Sequence, residues 1–306
     1  MTVSKTIVLA GAAHIDRTGR LNERSSLHCS NPGWFDETVG GTSLNVASIL
    51  ASLGSRSKLI TQLGDDMPAK QIRFESADRG IELIAFSPSA QNTGTYTSVL
   101  EPDGNLLIAL ADMAIYDNLP DHIVDKALVT ANESDIFCVD ANLPEATINK
   151  LLECSAQFKV AFTVSKAKAS KLRSSIGSLD LLFSNRVEMA ALMELPENWQ
   201  SDAMVEKLSV SGIKSCVISN GAEDVFLWDG KGVLTLPVEP KQKVVDVTGA
   251  GDGLAAGTLH ALNNGAPLAK AVQFGIRVAN AIIDVPGPWR PDLRESVGHF
   301  TNNQLD

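Results

Sequence analysis

The chain has little of what stapled, metal-bound or membrane proteins need. Its four cysteines, Cys29, Cys138, Cys154 and Cys216, show no CxxC spacing, and no histidine pair stands near them at metal-ligand spacing. That argues against a disulfide or zinc framework and for a reducing compartment. Cys138, inside the apolar run Ile136-Phe-Cys-Val139, reads as a buried strand residue. Basic residues are outnumbered 26 to 36, for a formal net charge of -10. Nucleic acids and anionic membranes attract clustered Lys and Arg, so neither is an expected partner. No apolar run is long enough to span a bilayer. Met1 to Ala10 carries one Lys and passes straight into a strand-like run, without the apolar core and cleavage site of a secretory signal. A cytoplasmic protein is expected. There is no Walker A string, and Gly11-Ala12-Ala13 lacks the three-glycine spacing of a dinucleotide fingerprint.

What remains is an ordinary globular composition of 306 residues, 44% of them hydrophobic. That length suits one large domain with a small appendage, or two domains. Thr6 to Gly11 reads as a buried strand, 42–53 as a helix closed by Gly54, 58–63 as a strand, 67–79 as a helix ending at Gly80, and 81–86 as a strand. Helices are then expected near 120–131, 144–154, 186–194 and 201–211, and strands at 135–140, 159–164, 179–183 and 215–219. Such alternation, with continuous apolar strands, predicts an α/β fold with a mostly parallel central sheet and helices on both faces. Two segments break the rhythm. Residues 15–39 are polar, and 94–110 read as a hairpin around Pro102-Asp103-Gly104; a second hairpin is expected at 224–236, around Asp229-Gly230. Segments 15–39 and 94–115 are therefore assigned to a small β lid, and residues 1–14, 40–93 and 116–306 to the large domain.

The strongest chemical motif is Asp246-Val-Thr-Gly-Ala-Gly-Asp252, between the apolar Val244-Val245 and a helix reaching about Leu262. Gly249 and Gly251 let backbone amides come close to a ligand, and the helix start adds unpaired N–H groups and a positive dipole end. With Ala250 they suit an anion hole for a transferring phosphoryl group, and Asp252 beside them suits a general base. Gly40-Gly41 opens the 42–53 helix and admits a ligand, while Asn45 offers a donor and an acceptor. Asp16, after the first strand, can accept two hydrogen bonds from vicinal hydroxyls. His14 reads as a packed histidine.

Taken in order, these motifs resemble the PfkB, or ribokinase-like, family of carbohydrate and nucleoside kinases. The C-terminal signature is matched with one departure, Val247 in place of Thr; Gly40-Gly41-Thr-Ser-Leu-Asn45-Val-Ala47 is similar to the N-terminal signature; and Asn185-Arg-Val-Glu188 resembles the Asn-x-x-Glu element near magnesium-bound phosphates. The resemblance implies a ribokinase-like fold, ATP as phosphoryl donor, Mg2+ held through water by Glu188, and a K+ site near Asp246. It also implies nucleotide contacts from Asn185, Ser219, Gly221, Thr248 and Asn280, and a homodimer formed through the lid.

Within the family, the chain looks most like the pseudouridine kinases. The carrying residues are Ser30-Asn31-Pro-Gly33, the run from Thr93 to Leu100, Asp112-Met113, and the Val form of the catalytic signature. The implied acceptor is the pseudouridine 5′-hydroxyl, with Ser30, Asn31, Thr95, Asp112 and Met113 added to the substrate side. A polar pocket of this kind discriminates by leaving its own groups unpaired around a wrong ligand. The strand near 160 ends Ala161-Phe-Thr-Val-Ser165, where many relatives carry Asp-Pro; Ser165 and Lys168 either serve the subgroup's chemistry or are ordinary loop residues. The alternatives are a kinase for ribose, another nucleoside or a related sugar, or a catalytically silent binding protein on the same scaffold.

Overall fold

A computed structural model of the chain describes residues 6–87, 91–132, 134–298 and 300. Its strands, in chain order, are β1 (Thr6–Ala10), β2 (His14–Leu21), β3 (Gly33–Gly40), β4 (Arg56–Gln62), β5 (Glu82–Phe86), β6 (Thr95–Leu100), β7 (Leu106–Asp112), β8 (Ile136–Asp140), β9 (Phe158–Phe162), β10 (Leu181–Asn185), β11 (Cys216–Asn220), β12 (Glu223–Trp228) and β13 (Val233–Leu236). Its α-helices are α1 (Thr42–Ser52), α2 (Met67–Asp78), α3 (Asp121–Asn132), α4 (Glu145–Leu151), α5 (Lys166–Ala169), α6 (Arg186–Met193), α7 (Ser201–Ser211), α8 (Ala250–Asn263), α9 (Leu268–Ile282) and α10 (Leu293–Val297).

Nine strands form one sheet in the order β13-β12-β11-β10-β9-β8-β1-β4-β5. All neighbours from β11 to β5 are parallel, and the β12–β13 hairpin closes one edge antiparallel. Parallel strands lie buried on both faces, which is why β1 after Thr6 and β8 before Asp140 are continuous apolar runs. Alternate residues of β1 enter different cores. Ile7 and Leu9 join the layer of α1, α8 and α9, while Val8 and Ala10 join the layer of α3, α4, α6 and α7. The fold is α/β with a mostly parallel central sheet and helices on both faces, as expected.

The helix pair α8/α9 is held close by missing side chains: a Cβ at Gly257 would lie 2.8 Å from Gly275 Cα. Helix α1 is buried from Ser43 to Leu50 and packs against both the sheet and α8. This sandwich carries the starts of α1 and α8 to the same end of the sheet.

A separate four-stranded sheet has the order β3-β2-β6-β7, antiparallel except for the β2–β6 pair. Strands β6 and β7 fall inside 94–115, while β2 starts and β3 ends one residue outside 15–39, at His14 and Gly40; residues 1 and 306, where the large domain was bounded, fall outside the described residues. Between β9 and β10 the sequence reading left a gap that α5 and a 3-10 run over Ser170–Ser178 fill. The predicted helix over 144–154 is shorter, Glu145–Leu151, and the strand over 179–183 is shifted to Leu181–Asn185.

Candidate active site

Helix α8 begins abruptly. Gly249, its N-cap, has φ +79°, and a Cβ there would strike Pro288. Only glycine adopts that turn cheaply. Gly251 is different: its φ is not left-handed and a Cβ would meet nothing within 4 Å, so no contact inside the protein demands a glycine. The exposed backbone there leaves room for a ligand against the first-turn amides. Asp252 is partly buried in that turn. Loss of solvation pushes its carboxyl up to about 6; the Asn45 donor pulls it down, and the negative charges of Asp140, Asp16 and Glu188 push it up further. An acid that titrates there is ionised at neutral pH, yet basic enough to take a proton from a hydroxyl in flight.

Asn45 Nδ2 donates to Asp252 Oδ2 at 2.8 Å, joining two motifs 207 residues apart. The Asn45 Oδ1 acceptor is buried and unpartnered. Gly41 caps α1 with φ +106°, and a Cβ would lie 2.5 Å from Ala12 O. At Gly40 a Cβ would lie 1.9 Å from Asp16 Oδ2. The sequence reading had these glycines admit a ligand; the structure shows that the first need is internal, to seat Ala12 and Asp16. Asp16 Oδ1 is 3.1 Å from His14 Nε2, so His14 is a buried orienting neighbour of the carboxylate, and its Nδ1 has no partner.

Sequence reasoning missed the hub beneath them. Asp140, wholly buried at the end of β8, accepts from Ala12 N (2.9 Å), Ser43 Oγ (2.6 Å) and Asn142 N (2.9 Å). Gly11 must lack a side chain, because a Cβ would lie 2.0 Å from Asp140 Oδ2. Tyr116 adds a second clamp: its buried hydroxyl accepts from Ala13 N at 3.0 Å and donates to Ala13 O. The signal was available in part, as an Asp closing the apolar run Ile136-Phe-Cys-Val139.

On the other side of α8, Asn185 and Glu188 form a capping box at α6: Glu188 N donates to Asn185 Oδ1 at 2.9 Å, and Asn185 N to Glu188 Oε2 at 3.2 Å. Thr163 Oγ1, at the end of β9, also donates to Glu188 Oε2, another contact the sequence did not reveal. The half-buried Ser219 pairs in register with Asn185, followed by the exposed Gly221. Asp246 takes Thr248 N at 2.9 Å and Gly287 N at 3.0 Å, tying the loop before α8 to the loop after α9. Burial raises its carboxyl, and these donors more than offset that, leaving it below its ordinary value. Asn280, on α9, uses its carbonyl oxygen to accept from Lys241 Nζ at 2.6 Å.

These groups fit their expected ions by donor chemistry. Glu188 commits only Oε2 to protein, and no cluster of three or more His, Cys, Asp or Glu among the described residues could hold a metal. A hydrated Mg2+, which keeps most of its waters, suits such a site. Asp246 brings a carboxylate, a hard oxygen donor of the kind K+ takes, although each of its oxygens already accepts a backbone N–H, from Thr248 and from Gly287.

The small sheet sorts the remaining candidates. Thr95 lies opposite Asp112 and beside Ile15 at the root of that sheet, next to Asp16. Met113 packs with Ala12, Ile115 and Tyr116. Ser30 and Asn31 belong to the far end, beyond Leu21; at 3.3–3.4 Å per residue that is about 17 Å along β2 from Asp16. The Asn31 amide is also committed to its own loop, accepting from Ser26 N and donating to Ser26 O and Cys29 O. The structure does not bring these two to Asp252.

Comparison with known proteins agrees with this geometry. Residues 4–293 match the model of the pfkB family carbohydrate kinases. The chain is 27% identical over 293 residues to a pseudouridine kinase from Escherichia coli (strain K12), covering 94% of this chain and 93% of that one. A carbohydrate kinase from Agrobacterium tumefaciens superposes with a TM-score of 0.82 at 31% identity, covering 96% and 97% of the two chains. The Arabidopsis thaliana ribokinase complexed with ribose and ATP has the same fold, with a TM-score of 0.81 at 19% identity over 98% and 100% of the chains. The chain belongs to the pfkB family of carbohydrate kinases, and it is a phosphotransferase that acts on a hydroxyl group.

Proposed function

We propose that the chain transfers the γ-phosphoryl group of ATP to the 5′-hydroxyl of pseudouridine, giving pseudouridine 5′-phosphate and ADP. The observation that carries the kinase chemistry is the Asn45–Asp252 hydrogen bond of 2.8 Å, which unites the acceptor-side and phosphate-side motifs. The choice of acceptor is supported by the kinship, nearly end to end, with the pseudouridine kinase.

In this reading Asp16, Gly41 and Asn45 orient the ribose. The hydroxyl oxygen attacks the γ-phosphorus, the bond to the bridging oxygen breaks, and the hydroxyl proton passes to Asp252. The amides of Gly249 and Gly251 stabilise the transferring group; that of Ala250 donates to Val247 O at 3.2 Å and would have to leave it to join them. Asn185, Ser219, Gly221, Thr248 and Asn280 border the nucleotide. Glu188 would hold Mg2+ through water and Asp246 would hold K+; the first ion would supply neutralisation of phosphate charge and the second would steady the loop ahead of α8. Positioning and charge stabilisation supply most of the rate. The small sheet serves as a lid, with Thr95 and Asp112 at its root.

The outer face of that sheet is apolar and exposed: Phe35 is 62%, Ile108 62% and Leu110 70% accessible. A second copy of the chain covers it in this reading, because a free strand edge with such a face invites pairing. The cytoplasm is the matching compartment for a chain with four free thiols.

The test is a panel of pseudouridine, uridine, cytidine, adenosine, ribose and fructose with ATP and Mg2+. Pseudouridine should give the highest kcat/KM. Preference for ribose or for another nucleoside overturns the acceptor assignment, and no turnover with any acceptor overturns the catalytic reading.

A further inference from the structure

Between the acceptor side and the phosphate side, one charged group has no role in the scheme above. Lys168 sits in the short helix α5, just after β9. The chain reaches it through an uncommon turn: Val164 has φ +68°, and Ser165 N donates to Thr163 O at 2.8 Å. A β-branched residue in that region is strained, and such strain persists where surrounding structure enforces it. The turn swings α5 back over the end of β8, where Lys168 Nζ donates to Asn142 Oδ1 at 2.5 Å. Asn142 is itself fixed: its N–H is on Asp140, and its carbonyl accepts from Lys171 at 3.4 Å.

The chemistry of this pair is one-sided. An ammonium only donates, so the Asn142 amide must turn its oxygen toward Lys168 and its Nδ2 away. That Nδ2 is buried with no partner, in a residue 4% exposed. Nζ keeps two more N–H bonds, with no further protein partner among the described residues. What the pair lacks is acceptors. Its surroundings face the acceptor side: Asp140 holds Ala12 and Ser43, and Asp117 directly follows Tyr116, whose hydroxyl grips Ala13.

We propose that Lys168, oriented by Asn142, is a specificity-determining residue that receives a carbonyl oxygen of the acceptor's ring, so that the site favours nucleosides carrying a pyrimidinedione. The inference rests on the nucleoside-kinase reading and sharpens it. A donor-only wall accepts C=O groups and leaves an exocyclic amino group unpaired, which is costly in a buried site. It does not separate uridine from pseudouridine, whose rings both carry two carbonyls; the lid must do that. A modest displacement of the Asn142 amide lets the same oxygen relieve its orphaned donor. Burial holds the Lys168 ammonium below its ordinary value, with Asp140 and Asp117 drawing it partly back up and Lys171 adding to the fall.

The test is steady-state kinetics of wild type, Lys168→Met and Lys168→Arg with pseudouridine and uridine, with thermal melting to establish folding. In Lys168→Met the nucleoside KM should rise about 10- to 100-fold, as expected for a lost charged hydrogen bond, while the ATP KM changes less than about two-fold. Lys168→Arg should recover most of the loss. An unchanged nucleoside KM in folded Lys168→Met, or an equal rise in the ATP KM, overturns the inference alone. A wild-type protein that turns over no pyrimidinedione nucleoside overturns the nucleoside reading, and the inference with it.

Discussion

Asp252 is held in a conflict that its chemistry needs. Desolvation and three neighbouring acids favour the protonated form, and Asn45 favours the ionised one. The folded-state value of about 6 lies above the ordinary 3.8, so the stabilising protonated state is fully available below pH 3.8 and is lost as the pH rises through about 6. Above that pH the ionised carboxyl costs the fold free energy, on the order of 3 kcal/mol at most. Asp252→Asn removes that cost, so its Tm at pH 7.5 should exceed wild type by a few degrees, as calorimetry would show. A second prediction concerns Asn45→Ala. Without its donor, the acid limb of the kcat/KM profile should move to higher pH; a limb left in place would show that Asn45 does not tune the base. Both residues were legible in the sequence because each sits in a short local motif. Asp140 was not, since its partners Ala12 and Ser43 are 128 and 97 residues away and only folding brings them together.

Among elements, the starts of α1 and α8 define the site, and glycines set how close they come. Gly40→Ala would place a methyl 1.9 Å from the Asp16 carboxylate, within the antiparallel β2–β3 pair. The carboxylate can escape only by turning away from its present position, where the proposed reading has it orient the ribose. The acceptor KM should therefore rise about 10-fold or more with the ATP KM little changed, and an unaltered acceptor KM would remove Asp16 from the substrate side. The large sheet was readable because its strands are buried on both faces and hence continuously apolar. The small-sheet strand β2, HIDRTGRL, is half exposed and mostly polar, so its alternation is weak and only its context suggested a sheet. The α5 and Ser170–Ser178 turns were hidden for a similar reason: their Lys- and Ser-rich residues favour no single period.

At the scale of the molecule, charge and apolar surface pull in opposite directions. A net charge of -10 keeps copies apart in general, while one face of the small sheet offers Ile108 and Leu110 at alternate positions of the exposed strand β7. Light scattering after gel filtration should give the mass of two chains for wild type and one for Leu110→Asp; a monomeric wild type would contradict the lid-to-lid pairing. No helix among the described residues is long and apolar enough to cross a membrane. Proton transfer at the start of α8 is measured most plainly by kcat of Asp252→Asn with saturating ATP, Mg2+ and the best acceptor of the panel. If Asp252 is the base, kcat falls about 10³-fold or more with the fold intact, in line with loss of a positioned base. Turnover within a few-fold of wild type would contradict that role.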